Sequence, residues 1–586
     1  MYDIIIKNGE ILDGSGGAAY VADVAVRDGK IVKIGKLDGE ECRRVIDAEG
    51  RCVTPGFFDV HSHGDGTIMM FPGAESHLMQ GITTFIGGLC GDSVAPLNPR
   101  LYFRNFWEYD NWHQVDGHLY EADLLQDAQK TREFLEKAYD IRFNWETFEE
   151  YLSMLEELGM SINFIPLVGH SEMRVVAMDT ISDQRRPSAE ELQKMRLIAE
   201  EAMEAGAWGF STGLDYAPSK FAYDEEIDAI LDVVKKHDGF YSTHWRTSHM
   251  HADPFHRFSK KDGLLHACET ARRNGVRAEI SHLSSVYEIY PWGTDRIERT
   301  LADETMKIVD EYNANGADLV FNIAPNTTYG FKCVPYLIMY FAPLVKQSGG
   351  PEQFIENLKY KEYVEDVRKL ILSRRSRVFA PAATGNWGDR ITVTQSRIPG
   401  LAGHTIRQLA DQKGLSCMDT VFELLRQDPY INVKEDVISY AAVEEFLSHE
   451  KCMVCLDGYI FDNASTFGVG KEIPEILPNP TGYCGFPLFL KKFGAVGSRE
   501  EKIKKITGNV AAWYGIENRG LIKEGYWADI NVIDMDALDP REDHIHPMTY
   551  PKGIEYVIVN GEPVVEDGVH TQRRAGRVLR KNRKTE

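Results

Sequence analysis

GFFDVHSHGD, residues 56–65, is an apolar run that ends in two histidines and a carboxylate. Phe57, Phe58 and Val60 suit a buried strand, and His61 and His63, one residue apart, would leave its end on the same side. The pair has two readings. It is either a metal site on a strand end or polar decoration of the turn at Gly64, and a lone HxH does not choose between them. The choice depends on what stands at the ends of the other strands.

Seven further runs resemble this one: TTFIGG (83–88), NFIPLVG (163–169), AWGFST (207–212), GFYST (239–243), RAEIS (277–281), DLVFNI (318–323) and CMVCLD (452–457). Helical stretches separate them, so with GFFDV they make eight βα units, the pattern of a parallel sheet closed into a barrel. The expected fold class is α/β, a (β/α)8 TIM-like barrel. Both ends of the chain alternate short β-rich runs with glycine turns, as in YDIIIKNG, ADVAVRDGKIVKIG, ADINVID and YVIVNG. Neither end can bury a core alone, so 1–55 plus 510–586 are expected to pair into one small β-sandwich-like domain around a catalytic barrel at 56–509. Connections at about 89–162 and 324–451 are too long for plain barrel loops and read as insertions over the mouth. The first contains YFRNFWEYDNWHQVDGHLY (102–120), which suits either an apolar wall for a ligand or ordinary surface packing.

In a barrel, the loops after the strand C-termini share one mouth. His61 and His63 follow the first strand, with Asp65 beyond; Cys90 follows the second, His244 ends the fifth, His282 the sixth and Asp457 the eighth. These are zinc-binding residue types, all at the same end of the right strands. Taken singly, Cys90 would equally suit a buried structural thiol. GFSTG (209–213) also matches the G-x-S-x-G nucleophile elbow, which needs a helix straight after the serine. GLDYAPSKFAYDEE reads as a loop instead, so Ser211 is expected to pack the strand end or line the pocket. Cys452 and Cys455 form a CxxC by count, but an odd separation in a strand sends them to opposite faces.

The chain has 586 residues, 43% of them hydrophobic, and 66 basic against 89 acidic residues give a net charge of −23. That balance disfavours nucleic acid and anionic membrane surfaces as partners. The basic stretch RRAGRVLRKNRK near the C-terminus is the exception, and it is expected to be a solvated, frayed end. No run of apolar residues is long enough to span a membrane, and MYDIIIKNGEILDG lacks the uninterrupted apolar stretch of a signal peptide. Nine scattered cysteines suggest reduced thiols, and a cytoplasmic location is expected. A homo-oligomer is left open.

GFFDVHSHGD, GITTFIGGLCGDSVAPL, PLVGHSEMR, AGAWGFSTGLDYAPSKFA, ISHLS, CLDG and NRGLIKEGYWADINVID resemble the N-acyl-D-amino-acid deacylases (D-aminoacylases) of the amidohydrolase superfamily. The resemblance runs over nearly the whole chain, weakest around 98–140, 247–262 and 324–385. It implies a metal-bearing barrel with a small β domain made from both termini. Many amidohydrolases bridge two metals with a carbamylated lysine at the fourth strand, where this chain has FSTG. The resemblance implies instead that Cys90, His244 and His282 hold a tight zinc, and that His61, His63 and Asp457 hold a second, weaker site. Zinc lowers the pKa of bound water and polarises the scissile carbonyl, and Asp457 is the expected general base, with no covalent intermediate.

Substrate recognition departs from the family pattern. D-aminoacylases typically place a lysine after the sixth-strand histidine, a YPY motif after the seventh strand and an HPR motif after the eighth. Here stand SHLSS, IAPNTT and NPT, so Ser284, Ala324 or a neighbour, and Thr481 occupy the places of cationic or phenolic donors. Arg246, in THWRTSH, is either a replacement carboxylate clamp or a structural ion pair. Tyr216 is expected to line the pocket or pack the strand end, His170 suits a pocket or a structural role, and His249, His251 and His256 read as surface histidines. The expected activity is zinc-dependent cleavage of the amide C–N bond of a small-molecule N-acyl amino compound. The family default is an N-acyl-D-amino acid; the motif losses point to a neutral, bulky or cyclic amide. A deaminase on the same barrel and a catalytically silent scaffold are the remaining alternatives.

Overall fold

The computed structural model describes residues 1–98, 136–180 except 138, 184–247 except 216, 259–328 except 288 and 290–292, 336–373, 378–379, 381, 386–462 and 478–581. Its first strands are β1 (Tyr2–Ile11), β2 (Tyr20–Arg27), β3 (Lys30–Gly35), β4 (Cys42–Asp47) and β5 (Cys52–Pro55). β1 pairs antiparallel with β2 and parallel with β4 and β5. Ile4, Ile6, Val24, Val26 and Ile31 pack into one core of this sheet, and Ile5, Ala25 and Leu37 are buried in a second, smaller cluster.

Next come β6 (Phe57–Asp59), β7 (Ile82–Gly87), β8 (Asn163–Pro166), β9 (Val168–Gly169), β10 (Gly209–Gly213), β11 (Phe240–His244), β12 (Arg277–Ile280), β13 (Leu319–Ile323), the hairpin β14 (Ile391–Gln395) and β15 (Asn432–Glu435), and β16 (Cys452–Val454). All eight expected barrel runs are strands, with the third interrupted at Leu167. They form two parallel arcs, β6-β7-β8 and β9-β10-β11-β12-β13-β16, so the barrel is not closed by a continuous ladder. Leu167 N–H still donates to Gly87 O at 2.9 Å across the first gap. Across the second, between β16 and β6, the Asp59 carboxylate accepts the Leu456 N–H at 3.0 Å, and Asp457 N–H donates to His61 O at 2.9 Å. These strands are buried along their length, which is why their sequences read as apolar runs rather than alternations.

Helices cover the arcs with ordinary end chemistry. In Ala189–Ala205, Ser188 and Glu191 form a capping box, and Gly206 ends the helix in the left-handed region. The chain then returns as β17 (Ile530–Ile533), β18 (Ile554–Val559), β19 (Glu562–Glu566) and β20 (Val569–His570), which extend the first sheet through an antiparallel pairing of β17 with β5. The segment between β13 and β16 packs a core of its own from Leu337, Phe341, Phe354, Phe422 and Val433. The residues 102–120 lie outside the described residues.

The C-terminal basic stretch is not a frayed end up to Lys581. Leu579 N–H donates to Phe164 O at 2.7 Å, and the Trp208 indole donates to Leu579 O at 2.5 Å. Val578 and Leu579 are buried, and Arg580 is 5% exposed while donating to Glu149, Ser153, Glu156 and the Ala205 carbonyl. Arg573 and Arg580 are paired with acidic residues, Arg574 donates to the Ser161 hydroxyl and Arg577 lies over the Trp527 ring, so composition alone misread the segment. Among the described residues, no helix is long and apolar enough to cross a membrane.

Candidate metal centre

The strand ends bring four of the expected ligands, His61, His63, His244 and His282, around the sulfur of a fifth, Cys90. Cys90 Sγ stands 3.3 Å from His61 Nε2, 3.5 Å from His282 Nε2 and 3.9 Å from His244 Nδ1. His244 Nδ1 and His282 Nε2 are 2.9 Å apart. Asp457 Oδ1 lies 3.6 Å from His61 Nε2 and 3.4 Å from His63 Nε2. Asp65 is in neither ligand-type cluster, and its carbonyl accepts the Tyr151 hydroxyl.

Three of these residues occupy the left-handed region that side chains avoid: Cys90 at φ 56°, His282 at φ 35° and Asp457 at φ 50°. Each is held there by a neighbour. Ser211 Oγ donates to Gly88 O at 2.5 Å and accepts from Gly91 N–H at 2.9 Å, gripping the loop on both sides of Cys90. The two glycines permit this approach, because a Cβ at Gly88 would lie 2.0 Å from Leu167 O and one at Gly91 2.5 Å from Gly213 N. Asn322 Oδ1 accepts the His282 N–H at 2.6 Å.

Among the described residues, two groups of donor atoms lie close enough to hold an ion, Cys90–His244–His282 and His61–His63–Cys90, each with all atoms within 4.8 Å of one another. Zinc bonds of about 2.05 Å to nitrogen and about 2.3 Å to sulfur put tetrahedral ligands about 3.3 Å apart for two nitrogens and about 3.6 Å apart for nitrogen and sulfur. In the first group the nitrogen–sulfur separations, 3.5 and 3.9 Å, bracket the expected value, and the two nitrogens, 2.9 Å apart, are somewhat closer than theirs. Burial, with the nearby His244, pushes the His282 imidazole well below its ordinary pKa, which keeps it in the neutral form that a metal requires. The donor set therefore fits a borderline-soft ion such as zinc.

Residues expected at the substrate end are placed differently. The Arg246 guanidinium donates to the carbonyls of Leu214, Lys220 and Ala222 at 3.1–3.3 Å, tying down the loop after β10. His170 is fully buried, with Nδ1 2.9 Å from Ser219 Oγ and Nε2 2.9 Å from Glu226. Thr481 is buried in a neutral ring: Asn326 Nδ2 donates to its hydroxyl at 2.9 Å, it donates to Asn479 Oδ1 at 3.0 Å, and Asn479 Nδ2 donates to Thr328 at 2.9 Å. Ser284 is half-buried beyond His282, while Tyr216, His249, His251 and His256 lie outside the described residues.

Sequence reading missed a supporting layer. Asp215 Oδ2 faces His244 Nε2 at 3.3 Å and its carboxylate also accepts Thr247 N–H and the Thr247 hydroxyl. Burial works to raise the Asp215 carboxyl, but the hydrogen bonds from His244 and Thr247 prevail and hold it below its ordinary value, at about 2. Beneath His61, Asp59 is paired with His77 at 3.1 Å and accepts the His61 N–H at 3.2 Å. Asn322 and Ser211 belong to the same layer. Their only sequence signal is polarity inside apolar strands, which does not say what each touches.

The sequence matches the amidohydrolase family over residues 44–316 and 493–565. It is 26% identical to a D-aminoacylase of Alcaligenes xylosoxydans xylosoxydans, over 99% of this chain and 97% of that protein. A crystal structure of D-aminoacylase superposes with a TM-score of 0.66 at 25% identity, covering 99% of this chain and 100% of that one. N-acyl-D-glutamate deacylase from Bordetella bronchiseptica, solved with zinc and a phosphonate mimic of the tetrahedral intermediate, gives 0.65 at 25% identity with 99% of both chains covered. A barrel whose strand ends converge on one thiol, and a sequence likeness that runs from end to end, lead to the same place: the chain belongs to the amidohydrolase family, hydrolytic enzymes of C–N amide bonds, beside the D-aminoacylases.

Proposed function

We propose that this protein is a zinc-dependent hydrolase that cleaves the amide bond of an N-acyl amino compound, with N-acyl-D-amino acids as the reference substrates. The observation that carries the reading is the meeting of the Cys90, His244 and His282 donor atoms within 4.8 Å of one another, with the Asp457 carboxylate 3.4 Å from His63. Cys90, His244 and His282 would hold the ion, which when bound polarises a carbonyl and lowers the pKa of water. Asp457 would accept the proton of the attacking water and deliver it to the departing nitrogen, which leaves poorly as an anion. Ser211 is occupied with Gly88 and Gly91, which supports direct attack by water rather than by a serine. Asp457→Asn should abolish turnover while leaving zinc content unchanged.

A second reading of the substrate has its own support. Thr481 sits in a neutral hydrogen-bonded ring and Arg246 is engaged by three carbonyls, so the described residues offer no evident clamp for a substrate carboxylate. That favours a neutral, bulky or cyclic amide. Amine release from N-acetyl-D-methionine and from its uncharged carboxamide, with the L-enantiomers as controls, separates the two. Preference for the D-acid supports the first, preference for the carboxamide the second, and no turnover of any of them by zinc-loaded protein counts against both short-chain substrates.

A further inference from the structure

The imidazoles around Cys90 differ in the partner on the nitrogen turned away from it. His244 presents Nδ1 to the centre, and its Nε2 faces the Asp215 carboxylate at 3.3 Å. An ionised carboxylate only accepts, so the neutral ring carries its proton on Nε2 and turns the Nδ1 lone pair towards Cys90 and His282. That is the state in which a histidine binds a metal.

His61 is arranged the other way round. It presents Nε2 to the centre, 3.3 Å from Cys90 Sγ, while its Nδ1 stands 3.3 Å from Asn322 Nδ2. The Asn322 amide cannot be turned over, because its oxygen accepts the main-chain N–H of His282 at 2.6 Å and the Cys455 thiol at 3.4 Å. Its NH2 end therefore faces His61, and an NH2 group only donates. The accepting nitrogen of His61 is Nδ1, so the proton of the neutral ring sits on Nε2, aimed at the Cys90 sulfur and the Asp457 carboxylate.

We propose that Asn322 decides how many metal ions this centre holds, by keeping the His61 proton on Nε2 and so reserving the tight site for Cys90, His244 and His282. His61 then acts as a hydrogen-bond donor to Cys90 and Asp457. A second ion on His61, His63 and Cys90 would require the proton to move to Nδ1, where it meets the Asn322 NH2, donor against donor. This rests on the reading that Cys90, His244 and His282 bind zinc. Asn322 is a positioning residue, and Asn322→Asp is nearly isosteric: one oxygen still accepts from His282, and the other accepts a proton on His61 Nδ1, freeing the Nε2 lone pair.

The test is zinc binding to the metal-stripped full-length protein, by competition with a chromophoric chelator and by elemental analysis. The wild type should take one zinc tightly and a second at least about a hundredfold more weakly, and Asn322→Asp should tighten the second by about 10–100-fold while leaving the first within a few-fold. A merely structural role for Asn322 would weaken binding in the variant. Asn322→Ala removes the donor without adding charge and should fall between the two, whereas a pure charge effect would leave it at the wild-type value. Equal affinity for two zinc ions in the wild type, or no gain in Asn322→Asp, overturns the assignment. If the wild type binds no zinc, the underlying reading falls; if it binds one tightly and the variant gains nothing, only the role of Asn322 falls. Should the variants not fold, 15N-histidine NMR of the one-zinc wild type, assigned with His61→Gln, decides it: a proton on Nε2 of His61 supports the assignment and one on Nδ1 refutes it.

Discussion

Asp215→Ala tests whether the layer behind the ligands governs the metal. Asp215 meets the Nε2 of His244, the nitrogen remote from Cys90, and it is the described carboxylate that accepts from this ring. Losing such a partner typically weakens metal binding by about 10–100-fold, or about 1.4–2.7 kcal/mol. The contact is 3.3 Å, long for a charge-assisted bond, which places the effect near the lower end, about tenfold. Asp215→Asn keeps one accepting oxygen for either His244 or Thr247 and should lose less. The carboxyl is held at about 2, below its ordinary value, so it stays ionised from neutral pH down through the mildly acidic range, and the wild-type to variant ratio should be flat from about pH 6 to pH 8. The assay is a zinc competition titration at those pH values, with melting under saturating zinc as a check on folding. A zinc affinity within twofold of the wild type in Asp215→Ala would refute the argument.

Three further outcomes follow from named contacts. Arg580→Ala strips partners from Glu149 and Glu156, which can resolvate, and from the buried Ala205 carbonyl, which cannot, so it should cost about 2–3 kcal/mol in denaturant unfolding; an unchanged midpoint would show that the C-terminal stretch adds nothing. Arg246→Ala should lower stability yet leave the ratio of kcat/KM between N-acetyl-D-methionine and its carboxamide unchanged, whereas a tenfold or greater shift would restore Arg246 as a clamp. Burial pushes the Glu279 carboxyl up from 4.5 to about 8, opposed by the hydroxyls of Tyr514 and Ser242. The folded protein thus holds a proton that the unfolded chain releases above about pH 4.5; the stability it confers is complete below that pH and is lost as pH rises through about 8. Glu279→Gln should therefore gain on the wild type between about pH 5 and pH 8, by on the order of 3 kcal/mol, and parallel stability curves would show that the group does not titrate as argued.

The barrel was legible because its strands are buried on both faces and so stand out as apolar runs between helices. The convergence of Cys90, His61, His244 and His282 was legible because strand C-termini share a mouth, so these side chains could be grouped without knowing a single distance. The interruption at Leu167 was not legible, since NFIPLVG reads as one uninterrupted run. The docking of the C-terminal stretch was hidden by composition: its arginines outnumber its apolar residues, but Val578 and Leu579 are the ones that find the barrel wall, and Arg580 is matched by acids far back in the chain, at 149 and 156.

Asp215, Asn322 and Ser211 expose a deeper limit. Each is a common polar residue whose meaning is a direction: whether it offers a donor or an acceptor to a particular nitrogen, carbonyl or loop. No spacing rule carries that information, because the partners lie on different strands. Yet these directions separate a fold from a working centre. Cys90, His282 and Asp457 occupy backbone conformations that cost free energy, and a Ser211 hydroxyl, an Asn322 oxygen and the His61 carbonyl offset that cost by bonding across to them. On the proposed reading, the candidate ligands equip the barrel for zinc-assisted hydrolysis, and the polar residues one layer behind set which ring nitrogens would face the ion.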